Sequence, residues 1–174
     1  AVDKFNEEVV IPAGRPKVGM GAGMNTGKGF IGEMGSTKRH SYDILGDAVS
    51  TAARIESKCK EYGCLLLVGG ATVERCDPEE FFFLKLDSLV AKGKTDAVDI
   101  YTVLDDIKQH YIKARRRHDG MQQLYKNRKF DEAKEECDYL SKQFDGRMSK
   151  YHDMWKERCD EMKNKDLPDD WAGE

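Results

Sequence analysis

Seven glycines fall between Gly19 and Gly35, with Lys28 among them, which is the kind of composition from which phosphate-cradling loops are built. Neither standard loop fits. A G-x-x-x-x-G-K loop ending at Lys28 needs glycine at position 22 and a hydroxyl at 29, where the chain has Ala22 and Gly29. Gly27-Lys-Gly29-Phe-Ile-Gly32 matches G-x-G-x-x-G, yet that motif must open a helix, and Phe30, Ile31 and Met34 read as strand. The glycines are better explained by tight turns and close backbone approach. The five cysteines (Cys59, Cys64, Cys76, Cys137, Cys159) are odd in number and show no C-x-x-C spacing, which argues against a disulfide framework or a zinc site and for a reducing, cytoplasmic setting. His40, His110, His118 and His152 lack metal-ligand spacing and are expected at the surface without a role.

The elements that must position any site follow from periodicity. Ala1–Val9 reads as the end of a helix with Phe5 and Val9 on one face, so the segment is expected to open inside a domain. Lys17–Met24 alternates with period two, and Lys28–Met34 gives a second strand; Asn25-Thr26-Gly27 between them predicts a hairpin. A polar loop, Gly35–Tyr42, comes next. Gly46–Glu56, with Asp47 as N-cap and Ala48, Val49, Ala52, Ala53 and Ile55 at helical spacing, predicts an amphipathic helix. Strands are expected at Cys64–Val68, Phe81–Leu86 and Val98–Leu104, with a short helix at Ala71–Cys76. The first hundred residues are therefore α+β.

From Asp105 the chain turns to long charged segments with helical periodicity, broken near Asn127 and Gly146, which predicts three helices. Leu124–Ala133 resembles half of a tetratricopeptide repeat, but one partial repeat makes no solenoid, so a helical cap is the expectation. Arg115-Arg-Arg-His118 reads as a solvated face. Lys+Arg number 29 against Asp+Glu 32, so there is no basic excess to mark a nucleic-acid binder. No apolar run approaches the length of a bilayer-spanning helix.

Val18-Gly-Met-Gly-Ala-Gly-Met-Asn-Thr-Gly27, Ile31-Gly-Glu-Met-Gly-Ser36, Tyr42-Asp-Ile-Leu-Gly-Asp-Ala-Val49 and Ala52-Ala-Arg54 follow one another with an order and spacing that resemble the second half of a class III adenylate or guanylate cyclase domain. Lys92-Gly-Lys94 before the strand Ile100–Val103 is similar to the family's closing motif. The resemblance covers residues 1–104; residues 105–174 form the helical tail, similar to the region after the cyclase domain in bacterial receptor-type adenylate cyclases.

The resemblance implies part of a ferredoxin-like α/β sandwich and conversion of a nucleoside triphosphate to its 3′,5′-cyclic monophosphate and pyrophosphate. It implies two Mg or Mn ions and sites shared between two catalytic domains, most simply in a homodimer. Asp43 falls at the purine-reading position, with Ile44 beside it; a carboxylate there accepts from the exocyclic amine of adenine, which favours ATP. Arg54 falls where a guanidinium stabilises the transferring phosphoryl group, and Lys92 where an ammonium meets the terminal phosphates. Ser50 departs from the family's asparagine four residues before that arginine, leaving a shorter donor. The family's metal-binding aspartates and the lysine that partners the purine-reading aspartate belong to its first half, so this segment is expected to be inactive by itself. Its uncovered apolar faces are expected to drive oligomerisation or rearrangement. The competing reading is a non-catalytic cyclase-like interaction module, which Ser50 favours.

Overall fold

The computed structural model describes residues 2–36, 39–90, 97–104, 109–171 and 173. Its longest ladder joins β5 (Phe82–Val90) to β6 (Ala97–Leu104), antiparallel, with Phe82 opposite Leu104 and Leu84 opposite Thr102. Alternation along both strands sends Phe82, Leu84, Leu86, Ile100 and Leu104 into the core. The ladder carries a bulge: Lys85 faces Tyr101 and Asp87 faces Ile100, so Leu86 is the extra residue. β4 (Leu66–Gly69) lies antiparallel on the other side of β6, and β1 (Ala22–Met24) runs parallel to β4, giving the order β1-β4-β6-β5. Mixed sheet and helices together make an α+β fold.

The expected hairpin between Lys17–Met24 and Lys28–Met34 does not form. Asn25 Nδ2 donates to the Ala48 carbonyl and Thr26 Oγ1 lies 2.9 Å from Thr72 Oγ1, so the polar side chains of this turn tie it to neighbouring helices and carry the chain across them. The second strand, β2 (Phe30–Ser36), pairs instead with β3 (Arg39–Leu45), with Phe30 opposite Leu45 and Gly32 opposite Asp43. The polar loop expected at Gly35–Tyr42 is largely the end of β2 and the start of β3; an exposed two-stranded ribbon tolerates polar side chains on its strands. The first helical segment, α1 (Val2–Phe5), continues as a π turn to Val10, and it buries Asn6 and Val10, leaving Phe5 and Val9 half exposed. The Asn6 amide is the reason: it brackets the backbone of Val18, donating to its carbonyl and accepting from its N–H.

Helix α2 (Asp47–Ser57) lies directly on β1. A Cβ at Gly23 would sit 2.3 Å from the Ala52 carbonyl oxygen and 2.5 Å from Glu56 N, so only glycine allows strand and helix backbones to meet there. Ile55 enters the core from this helix, followed by Cys59 and Tyr62 of the short α3 (Cys59–Tyr62). The single turn α4 (Gly70–Val73) caps β4.

Helices α5 (Gln109–Lys126), α6 (Phe130–Leu140) and α7 (Ser149–Lys163) then pack on the β5 side of the sheet. The buried stripe of α5 is Tyr111, Ala114, His118, Met121 and Tyr125, spaced alternately by three and four. Phe130, Ala133, Cys137 and Leu140 of α6 and Tyr151, Trp155 and Cys159 of α7 join the same core as the strands. Arg115 and Arg116 are solvent-exposed as expected, while Arg117 makes a two-pronged bond to Glu136 at 2.7 and 2.8 Å.

Two of the four histidines overturn the surface expectation. His118 and His152 are fully buried, with ring nitrogens 3.4 Å apart. His118 Nε2 donates to the Lys85 carbonyl at 2.7 Å, which leaves Nδ1 to accept from His152. Burial pushes His118 down to about 4, and burial together with the neighbouring His118 pushes His152 down to about 3.

Candidate functional site

The strand-to-helix passage from β3 into α2 positions four of the five residues singled out by sequence. Gly46 makes the turn at φ 154°, with the Lys28 carbonyl so near that a Cβ would sit 2.9 Å from it. Asp43 is exposed on β3; its Oδ1 accepts from the N–H of Ile44 at 2.8 Å. Because side chains alternate across a strand, Asp43 and Ile44 occupy opposite faces of the β2–β3 ribbon. Ile44 looks onto α2, lining a groove of about 520 Å³ with Ile31, Ala48, Val49 and Ala52.

On α2, Asp47, Ser50, Thr51 and Arg54 are spaced to share one stripe of the helix surface. Ser50 Oγ turns back to donate to the Asp47 carbonyl at 3.1 Å. Arg54 is exposed, and its guanidinium meets no carboxylate among the described residues. Asp47 and Thr51 of this stripe line a cleft of about 890 Å³ bounded also by Asn25, Thr26, Lys28 and Asp99. Burial works to raise the Asp99 carboxyl, but bonds from Lys85 and Ser88, at 2.6 Å each, outweigh it and hold Asp99 below the usual range.

Of the four, only Ile44 lines the groove; Asp43, Ser50 and Arg54 line neither it nor the cleft, Ser50 and Arg54 standing about one helical turn apart on the stripe they share with the cleft-lining Asp47 and Thr51. Lys92, with Lys94, lies outside the described residues. Sequence reasoning passed over Lys28 and Thr51 as cleft-lining groups. Thr51 was detectable three residues before Arg54 on the same stripe, whereas nothing in the glycine-rich segment set Lys28 apart once the phosphate loops were rejected. Among the described residues no three His, Cys, Asp or Glu side chains come together as a metal cage, and no helix is long and apolar enough to cross a membrane.

Residues 2–114, which hold the glycine-rich strand, the β2–β3 ribbon with Tyr42-Asp-Ile-Leu-Gly46 at its end and the helix bearing Arg54, match the adenylate and guanylate cyclase catalytic domain. The chain belongs to that family. It is 38% identical over 108 residues to an adenylate cyclase of Anabaena cylindrica, an alignment covering 59% of this chain and 22% of that protein. Over 87 residues it is 44% identical to the terminal-differentiation specific adenylate cyclase of Dictyostelium discoideum, covering 49% of this chain and 4% of that one. A bacterial light-regulated adenylyl cyclase structure superposes partially, with a TM-score of 0.40 at 29% identity over 48% of this chain and 23% of its own. The chain spans less than a quarter of the length of each of these proteins.

Proposed function

We propose that this chain carries the base-recognition and transition-state face of an adenylate cyclase, converting ATP to 3′,5′-cyclic AMP and pyrophosphate. It does so together with a metal-binding segment and a second catalytic domain, most simply another copy, in the cytoplasm. In this reading the sheet and α2 complete a ferredoxin-like sandwich with strands outside these residues, and two Mg or Mn ions are held by carboxylates that the described residues do not supply. The observation that carries it is the match of residues 2–114 to the cyclase catalytic domain, within which Asp43, Ile44, Gly46 and Arg54 follow one another along β3 and α2. Gly46 joins the ribbon to the helix, so the carboxylate read here as base-recognising and the guanidinium read here as phosphoryl-facing lie on consecutive elements.

Asp43 Oδ1 is held by its neighbour's N–H while the carboxylate stays solvent-facing, an arrangement suited to accept from an adenine amine. Arg54, uncommitted to any carboxylate among the described residues, offers a planar fork to charge that develops on the phosphoryl group. Lys92 would meet the terminal phosphates. Steady-state kinetics with ATP and GTP in a protein holding the complete catalytic domain provide the test. Asp43→Ala should narrow the preference for ATP by about tenfold, the worth of one well-placed hydrogen bond. An unchanged preference would remove Asp43 from the base pocket.

One observation favours a second reading, a non-catalytic cyclase-like module with an interacting tail: the Ser50 hydroxyl is occupied by the Asp47 carbonyl of its own helix. A complete domain that binds ATP without turnover would select that reading.

A further inference from the structure

Asn25 and Thr26, the two residues that follow β1, both line the cleft, and each holds a different wall of it. The Asn25 amide donates from Nδ2 to the Ala48 carbonyl in the first turn of α2, at 3.3 Å. Thr26 Oγ1 shares a hydrogen bond with Thr72 Oγ1 of α4, at 2.9 Å. Those two helices bear groups that face the cleft, Asp47 and Thr51 from α2 and Val73 and Glu74 from α4. Two adjacent residues thus tie the walls to the end of one strand, and neither wall can draw away from the other without breaking one of the bonds.

The packing leaves a seat for this arrangement. A Cβ on Gly69, the residue before α4, would collide with Asn25 Oδ1, so the amide takes the space that a side chain at 69 would fill. Asn25 and Ala48 line the adjoining groove as well as the cleft, so their bond stands where the two meet. Contact of Gly23 with Ala52 and Glu56 sets how closely α2 lies on β1, but van der Waals contact has little directional preference. Hydrogen bonds are directional, and the bond at Ala48 acts on the turn from which Ser50 and Arg54 follow. Both bonds are partly buried, where water replaces a lost partner incompletely.

We propose that Asn25 and Thr26 are positioning residues for the nucleotide site: they fix the spacing of the α2 and α4 walls and, through the first turn of α2, the place of Ser50 and Arg54. This rests on the cyclase reading above. It gives the segment after β1 a part in turnover, acting through the two helices rather than on the reacting atoms.

The test uses side chains of matched size in a protein holding the complete catalytic domain. Asn25→Asp replaces the donor with an acceptor facing the Ala48 carbonyl; Thr26→Val removes the hydroxyl and Thr26→Ser keeps it. Asn25→Asp and Thr26→Val should each lower kcat for ATP about tenfold with KM changed less than about threefold, and Thr26→Ser should stay within about twofold of the parent. Added to Arg54→Ala, Asn25→Asp should lower kcat no further, because the helix it places has already lost the acting group. Unchanged kcat in the single variants, or losses that multiply in the double variant, would overturn the inference. Hydrogen exchange on the 174-residue chain judges the tie without activity: the Thr51 and Ala52 amides should exchange about tenfold faster in Asn25→Asp, with the Cys137 and Tyr139 amides of α6 at the parent rate. Equal rates in α2 would overturn the tie, and faster exchange in α6 as well would mark a merely stabilising role and overturn the positioning one. A parent without cyclase activity overturns the reading beneath the inference, and the exchange rates still decide whether the tie exists.

Discussion

The β2–β3 ribbon with α2 and the joint between β5 and the tail are built on opposite plans. On the ribbon, Phe30 is 79% exposed and Tyr42 75%, Ile31 and Leu45 are more than half exposed, and Asp43 and Arg54 face solvent. At the joint, Leu86, Tyr151 and His118 are fully buried, and carbonyl, carboxylate, guanidinium and hydroxyl meet one another. A surface that leaves both its apolar and its charged groups unmatched is built for something outside the chain. A joint that matches all of its strand carbonyls is complete within the chain. The proposed nucleotide site lies on the first kind of surface, and the tail joint is of the second.

The largest expected effect breaks the comparison on its buried side. Trp155→Ala, which empties the space between Tyr125 and Tyr151, should cost about 3–5 kcal/mol in urea unfolding, while Phe30→Ala should stay within about 0.5 kcal/mol. Equal costs would mean that the ribbon is covered in solution. Next in size is Arg54→Ala in the complete domain. It should lower kcat on the order of 10²-fold or more, with KM changed much less and Arg54→Lys rescuing incompletely. A variant that turns over ATP as fast as the parent would shift weight to the non-catalytic module.

Acid should loosen the joint before it touches the ribbon. His118 and His152 have depressed pKa values because burial disfavours their charged forms. Above about 6.5 both folded and unfolded chains hold them neutral, so their contribution is complete there. As pH falls from about 6.5 toward 4 and 3, the unfolded chain takes up protons that the folded one refuses, and stability drops by up to about 1.4 kcal/mol per pH unit for each histidine. Urea midpoints measured from pH 7.5 to 5 should show this slope, and His118→Gln, which keeps a donor for the Lys85 carbonyl, should reduce it. The smallest effect belongs to Ser50→Asn, which restores the longer side chain and should leave kcat equal to the parent or raise it by a fewfold in the same assay. A fall in kcat would show that the hydroxyl has its own use.

Periodicity made the helices and the long strands legible, because Phe82–Val90 and Ala97–Leu104 each bury one face and write that face into the sequence, while Asp47–Ser57 has helical spacing although only Ile55 of it is buried and Val49 and Ala53 of its expected apolar face are exposed. Strand partners were not legible in the glycine-rich segment. Three residues of β1 carry too little pattern to say whether they pair with β2 or β4, and Asn25 looks alike as a turn residue and as a tether to α2. The buried histidines were within reach: His118 falls in the three-four spacing of Tyr111, Ala114, Met121 and Tyr125, and only its polarity hid it. Asp43 and Arg54 were identified by their neighbours in sequence. Their exposure depends on how β3 and α2 pack, which no local spacing encodes.

Gly23 carries a mechanical consequence. Where two elements meet through a layer of side chains, one can slide over the other by small rotamer adjustments, which is how shear motions are accommodated. Here the α2 backbone rests on the β1 backbone, with Ala52 and Glu56 occupying the space a side chain would need. At that crossing the helix bearing Ser50 and Arg54 has no such layer beneath it, so sliding of α2 over β1 is opposed there by direct backbone contact.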